Sequence, residues 1–107
     1  MNESKIVVLI TAPTVQAAQQ IAQRLVEKRL AACVNILPAI QSIYRWEGKI
    51  QQETEILLLV KTSAGLFEDH LVPAVQEIHP YKVPEIIALP VLYGLPGYLE
   101  WINQETR

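Results

Sequence analysis

The chain has 107 residues, half of them hydrophobic and 19% charged, with 11 acidic against 9 basic side chains and a formal net charge of -2. That length suits one domain able to bury a core but near the smaller end of what is stable alone, so oligomerisation would help it. The slight negative charge offers nothing to a phosphate backbone, which argues against nucleic acid as a partner.

The longest apolar runs, IVVLITA and ILLLV, fall far short of the roughly 20 residues of a membrane-spanning helix, and no charged start with a cleavage site precedes them. The single cysteine, Cys33, excludes an internal disulfide and agrees with a reducing compartment. The expectation is a soluble, cytoplasmic protein with no membrane partner.

Residues 5–11 (KIVVLIT) make a continuous β-branched apolar run, the pattern of a strand buried on both faces. Ala12 and Pro13 close it, and Thr14 is placed to cap a helix through its hydroxyl. Val15, Ala18, Ile21, Ala22, Leu25 and Val26 recur at three- and four-residue steps opposite a glutamine-rich side, predicting one amphipathic helix. Lys28 and Arg29 are expected in its last turn, where positive charge suits the helix dipole.

AACVNI returns to extended structure, Pro38 marks a break, and IQSIYRWEGKIQQETEILLLVKT reads as two long strands about a turn at Glu47, Gly48 and Lys49. The second arm runs to about a dozen residues, roughly twice the usual strand. Its polar end, with Tyr44, Trp46 and Ile50 near the tip, is expected to project beyond its own domain and find cover elsewhere.

A second helix is predicted from Ser63, with Leu66, Phe67, Leu71, Val75 and Ile78 facing inward and Pro73 kinking or dividing it. HPYKVP ends it, EIIALPV supplies a fourth strand, and GLPGYLEWINQETR opens a final helix with Pro96 near its first turn. The order β-α-β-β-α-β plus a terminal helix defines an α+β, ferredoxin-like split βαβ sandwich over residues 1–107, an antiparallel sheet with both helices on one face. The other face, carrying either Leu57 and Leu59 or else Ile56, Leu58 and Val60, is too apolar for water and needs a layer from other subunits.

Candidate chemistry is sparse. For His79, at a helix end beside Pro80, a structural role bonding a last-turn carbonyl stands against a ligand role supported by nearby Tyr81, Lys82 and Glu85. His70 reads as solvent-facing and Cys33 as a buried, inert thiol. Glu53 and Glu55 share one strand face and read as a solvated pair, because glycosidase-type chemistry needs carboxylates facing each other across a cleft. Lys61 reads as a snorkelling lysine, with a cleft position as the alternative. The motifs CxxC, HxH, HExxH, GxSxG and the GxxxxGK phosphate loop are missing, and IVVLI and ILLLV lack the stacking aromatics of an RNA-binding sheet. No residue therefore takes a catalytic role, and a metal site would have to be open, weak or shared between subunits.

The series VVLITAP, LVEKRLAACVNI, IYRWEGKI, LLLVKT, HPYKVPEIIALPV and YLEWI resembles the CutA family, the divalent-cation tolerance proteins, in the family's order and over nearly the whole chain. The resemblance implies a ferredoxin-like subunit in a tight homotrimer, hairpin arms packed between neighbours, an architecture similar to the PII signalling proteins, and no enzymatic activity. It also implies a link to tolerance of copper and other divalent metals. In copper-binding relatives the proposed ligands are a cysteine at the end of the first strand and two successive histidines before Pro-Tyr. Those positions here hold Ile10, Ile78 and His79, so His79 is the one metal candidate carried over.

The expectation is a non-enzymatic homotrimer in the response to metal ions, with weak binding of copper or another divalent metal. Its intersubunit cleft would be lined by Trp46, Lys61, His79, Tyr81 and Glu85. The competing reading is a PII-like regulatory module that takes a small anionic metabolite or a protein partner in the same clefts, where Lys61 and Lys82 would matter more than His79. An acylphosphatase-like hydrolase ranks last, because TAPTVQ after the first strand has no arginine for a phosphate loop.

Overall fold

A computed structural model of the chain describes residues 4–106. Along it run β1 (Lys5–Ala12), α1 (Val15–Glu27), β2 (Cys33–Trp46), β3 (Lys49–Ser63), α2 (Val72–Ile78), β4 (Ile86–Pro90) and α3 (Pro96–Glu105). The strands form one antiparallel sheet in the order β2-β3-β1-β4. This is the α+β, split βαβ arrangement expected from the order of elements.

Alternation along β1 and β3 divides their side chains between two faces. Val8, Ile10, Leu58 and Val60 have no exposed surface, and with Ala18, Ile21 and Leu25 of α1 and Ala74 and Val75 of α2 they build the core. Val7, Leu9, Leu57 and Leu59 point the other way and are only half-buried. The open face therefore carries Leu57 and Leu59, and register extends it to Ile87 and Leu89 of β4. α3 covers one end of it: Ile102 is buried, Lys5 Nζ donates to Asn103 Oδ1 at 3.3 Å, and the Ser63 and Thr106 hydroxyls lie 3.1 Å apart.

The start of α1 follows its local chemistry, with the Thr14 hydroxyl accepting from the Ala17 amide at 3.1 Å. Its buried stripe is narrower than the sequence pattern, since Val15 and Val26 at the rims of the arc are exposed. Lys28 caps the helix, and Arg29 lies beyond the last turn with a φ of 60°. The amides of Arg29 and Leu30 donate back to the carbonyls of Val26 and Leu25. This is a Schellman end with arginine in the left-handed position that usually takes glycine. Its guanidinium donates to the Gln104 carbonyl at 2.7 Å, so the helix end is tied to α3.

The expected break at Pro38 is instead a bulge inside one continuous strand. Register shifts between Leu37 and Ile40, and Ala39 has a φ of 64°. A proline has no amide proton for the ladder, and one extra residue restores pairing on either side. At the hairpin tip Glu47 and Gly48 have φ values of 50° and 79°, the twist-matched pair of a two-residue turn. β2 and β3 span 14 and 15 residues and stretch the molecule to 46 Å along one axis against 26 and 23 Å across. Ile43, Trp46 and Ile50 on this projecting part are exposed.

The second helical segment arrives in three pieces: a 3-10 turn over Ala64–Leu66, a π-helical turn over Phe67–Leu71, and α2. Pro73 sits in the first turn of α2. Lacking an amide proton, it cannot bond the carbonyl four residues back, and the wider π turn absorbs that mismatch. Leu71 and Val75 are buried as expected, with Leu66, Phe67 and Ile78 packed partly against the core.

Candidate functional site

α2 stops at His79, whose backbone is extended, because the following proline disfavours helical geometry in the residue before it. The chain then crosses to β1. His79 is 8% exposed, its Nε2 lies 2.7 Å from the Thr11 carbonyl oxygen, and its Nδ1 accepts from the Tyr81 amide at 3.0 Å. A carbonyl can only accept and an amide N–H can only donate, so the proton sits on Nε2 and the ring is the neutral tautomer. The carbonyl expected from the last turn of the helix is thus replaced by one from β1. Both ring nitrogens are engaged, and as seated neither presents a lone pair to a metal.

Tyr81 stacks at a tilt against His79, with ring centroids 5.0 Å apart, and its hydroxyl donates to Glu55 Oε2 at 2.9 Å. Glu55 is only 6% exposed. Two residues along the same strand face, Glu53 accepts from the Tyr44 hydroxyl of β2. The reading of Glu53 and Glu55 as a solvated pair therefore fails for Glu55, which the 79–85 segment covers. The Tyr44 phenol is pushed up to about 12, first by its hydrogen bond to Glu53 and then by desolvation and repulsion from both carboxylates. Tyr81 is also pushed up, first by burial and then by its bond to Glu55.

A cleft of about 550 Å³ opens above these pairs. Its walls are the rings of Tyr44, Trp46 and Tyr81, and its charged groups are Glu53, Glu55, Glu85 and Lys82. Of the residues expected to line a cleft between subunits, Trp46, Tyr81 and Glu85 meet within one chain here, and His79 accepts a hydrogen bond from the Tyr81 amide beneath them.

Lys61 lies elsewhere. It pairs with Val7 and Cys33, and its ammonium donates to Asn35 Oδ1 and to the Leu59 carbonyl. Six residues separate it from Glu55, about 20 Å at the rise of a strand. Nearby on α3, burial and Cys33 push the Tyr98 phenol up.

Sequence reasoning missed Tyr44, Glu53 and Glu55 as cleft residues. A signal existed for one pair: the hairpin register sets Tyr44 opposite Gln51 and hence diagonal to Glu53, within reach of a long side chain. Nothing local announced the contact between Tyr81 and Glu55. Among the described residues, no group of three or more His, Cys, Asp or Glu is disposed to hold a metal ion, and no helix is long and apolar enough to cross a membrane.

Residues 6–105 match the family model described as CutA1 divalent ion tolerance protein. The chain belongs to the CutA family. It is 52% identical over 100 residues to the divalent-cation tolerance protein CutA of Thermus thermophilus, covering 94% of this chain and 96% of that protein. Solved CutA structures share its fold. The Thermus thermophilus protein superposes with a TM-score of 0.93 at 50% identity, over 96% of this chain and 99% of the other. The periplasmic divalent cation tolerance protein CutA of Archaeoglobus fulgidus gives 0.90 at 44% identity, over 94% and 97%. CutA is a divalent-cation tolerance family and not a known enzyme family.

Proposed function

We propose that this chain is a non-enzymatic subunit of a cytoplasmic homotrimer that serves the response to divalent metal ions and accepts a cation in the cleft between the hairpin and residues 79–85. The observation that carries the cation reading is the charge of that cleft, where the carboxylates of Glu53, Glu55 and Glu85 face one ammonium, Lys82. Lys61, which an anion site would need, stands apart and is bonded to Asn35. The PII-like alternative, with an anionic metabolite held by Lys61 and Lys82 together, is correspondingly less well supported.

Support for the trimer comes from the open sheet face and the overlong hairpin, which other copies would cover. Support for the metal response comes from family membership. The lone cysteine favours the cytoplasm. With both nitrogens of His79 engaged, weak contact with copper or another divalent ion falls to the cleft carboxylates, and His79 serves to position Tyr81.

Calorimetric titration with copper and zinc on the wild type, Glu85→Gln and His79→Ala tests this. The reading expects binding in the wild type that weakens in Glu85→Gln. Wild-type binding untouched by Glu85→Gln but abolished by His79→Ala would return the metal to the imidazole. Sedimentation of a monomer at micromolar concentration would sink the trimer.

A further inference from the structure

We infer that the cleft is a receptor for a small organic ammonium ion, whose hydrocarbon lies on Tyr44, Trp46 and Tyr81 and whose charge faces Glu53, Glu55 and Glu85. This rests on the cation reading above and adds the class of ligand. The cleft volume, about 550 Å³, falls in the range of small-molecule sites and far exceeds the need of a bare ion.

The wall chemistry separates the two kinds of cation. A bare divalent ion is held by ligating atoms that converge in a close shell, four for zinc and six or more for magnesium or calcium. Glu53 and Glu55 each already accept a hydrogen bond from a phenol, and among the described residues no three ligating side chains converge. Converging ligands for a bare ion are therefore scarce, while ring faces are plentiful. An ammonium group over an aromatic face is attracted by the ring quadrupole, most strongly over tryptophan, and its carbon chain gains from leaving water.

The carboxylates supply the matching charge. Glu55 is nearly buried, so an ammonium reaching it meets a field less screened than at an open surface. Glu53 and Glu55 succeed each other on one strand face, about 7 Å apart at the strand rise. That spacing suits the two ends of a short linear diamine. Lys82, the one opposing charge in the lining, is exposed and flexible enough to swing aside.

Three probes isolate the terms on the intact chain: 1,4-diaminobutane carries charge and hydrocarbon, 1,4-butanediol hydrocarbon alone, and magnesium charge alone. Titration calorimetry is expected to show the diamine binding at least about tenfold more tightly than either control, with Trp46→Leu and Glu85→Gln each weakening it several-fold. Trp46 and Glu85 are exposed on the single subunit, so circular dichroism and sedimentation of the variants should both match the wild type, which separates lost binding from lost fold or assembly. Equal binding of diamine and diol would overturn the inference, leaving only an apolar pocket. Binding of copper, zinc or magnesium without diamine binding would overturn it while the cation reading stands, and absence of binding by the diamine and by all three metals would overturn the two together.

Discussion

On one face of β1 and β3, Val8, Ile10, Leu58 and Val60 are sealed beneath α1 and α2, while on the other Val7, Leu9, Leu57 and Leu59 remain half-buried beside Ile87 and Leu89, each 51% exposed. Residue type does not separate the faces, since both are aliphatic. What separates them is the supply of a partner layer: α1 and α2 each present an apolar stripe to the first face, and α3 reaches only one end of the second. Where the second face is not aliphatic, at Glu53 and Glu55, the 79–85 segment and Tyr44 have turned it into a cleft. One face thus stabilises the subunit, and the other is left partly uncovered within it.

The contrast breaks most sharply on neighbouring leucines. Leu58→Ala, in the sealed face, is expected to cost about 2–5 kcal/mol by chemical denaturation. Leu59→Ala, measured at a concentration where the chain is dissociated, should cost less than half as much. Equal losses would erase the distinction between the faces. Leu59→Lys should leave helical content unchanged by circular dichroism while shifting the proposed trimer toward monomer in sedimentation, and a variant that sediments as the wild type does would remove that face from the proposed interface.

A smaller effect belongs to the cleft. Tyr81→Phe strips a nearly buried carboxylate of its phenol donor and is expected to cost about 1–3 kcal/mol. A variant as stable as the wild type would mean that water replaces the hydroxyl freely.

The mildest test concerns the exposed pair of Tyr44 and Glu53. Its phenol is held up at about 12, so the folded chain keeps that proton more tightly than the unfolded chain does. The pair's contribution is therefore complete below the ordinary phenol value near 10 and fades as pH climbs toward 12. Phenolate absorbance in wild type and Tyr44→Phe should differ by one late-titrating group, and a difference that titrates at the ordinary value would break the assignment.

Several elements were legible because their causes are local. The cap at Thr14, the spacing of Ala18, Ile21 and Leu25, and the turn at Glu47 and Gly48 follow from residues a few positions apart. Pro38 was legible as a disturbance but misread as an end, because strand pairing resumes on both sides of it. Arg29 in a left-handed conformation defied its own preference, and the bond that holds it comes from Gln104, 75 residues away. Lys61 was expected on a cleft shared between subunits, and within one chain strand rise sets it about 20 Å from Glu55.

Periodicity, capping and turn chemistry were enough to determine most of the elements and their order, since each depends on neighbours along the chain, while the family was legible from the resemblance of whole blocks such as HPYKVPEIIALPV. Which leucines face the helices, which carboxylate is buried and which proton His79 carries were decided only in three dimensions. Those outcomes depend on Tyr81 meeting Glu55 and on His79 meeting Thr11, partners 26 and 68 positions apart that only packing brings within bonding distance.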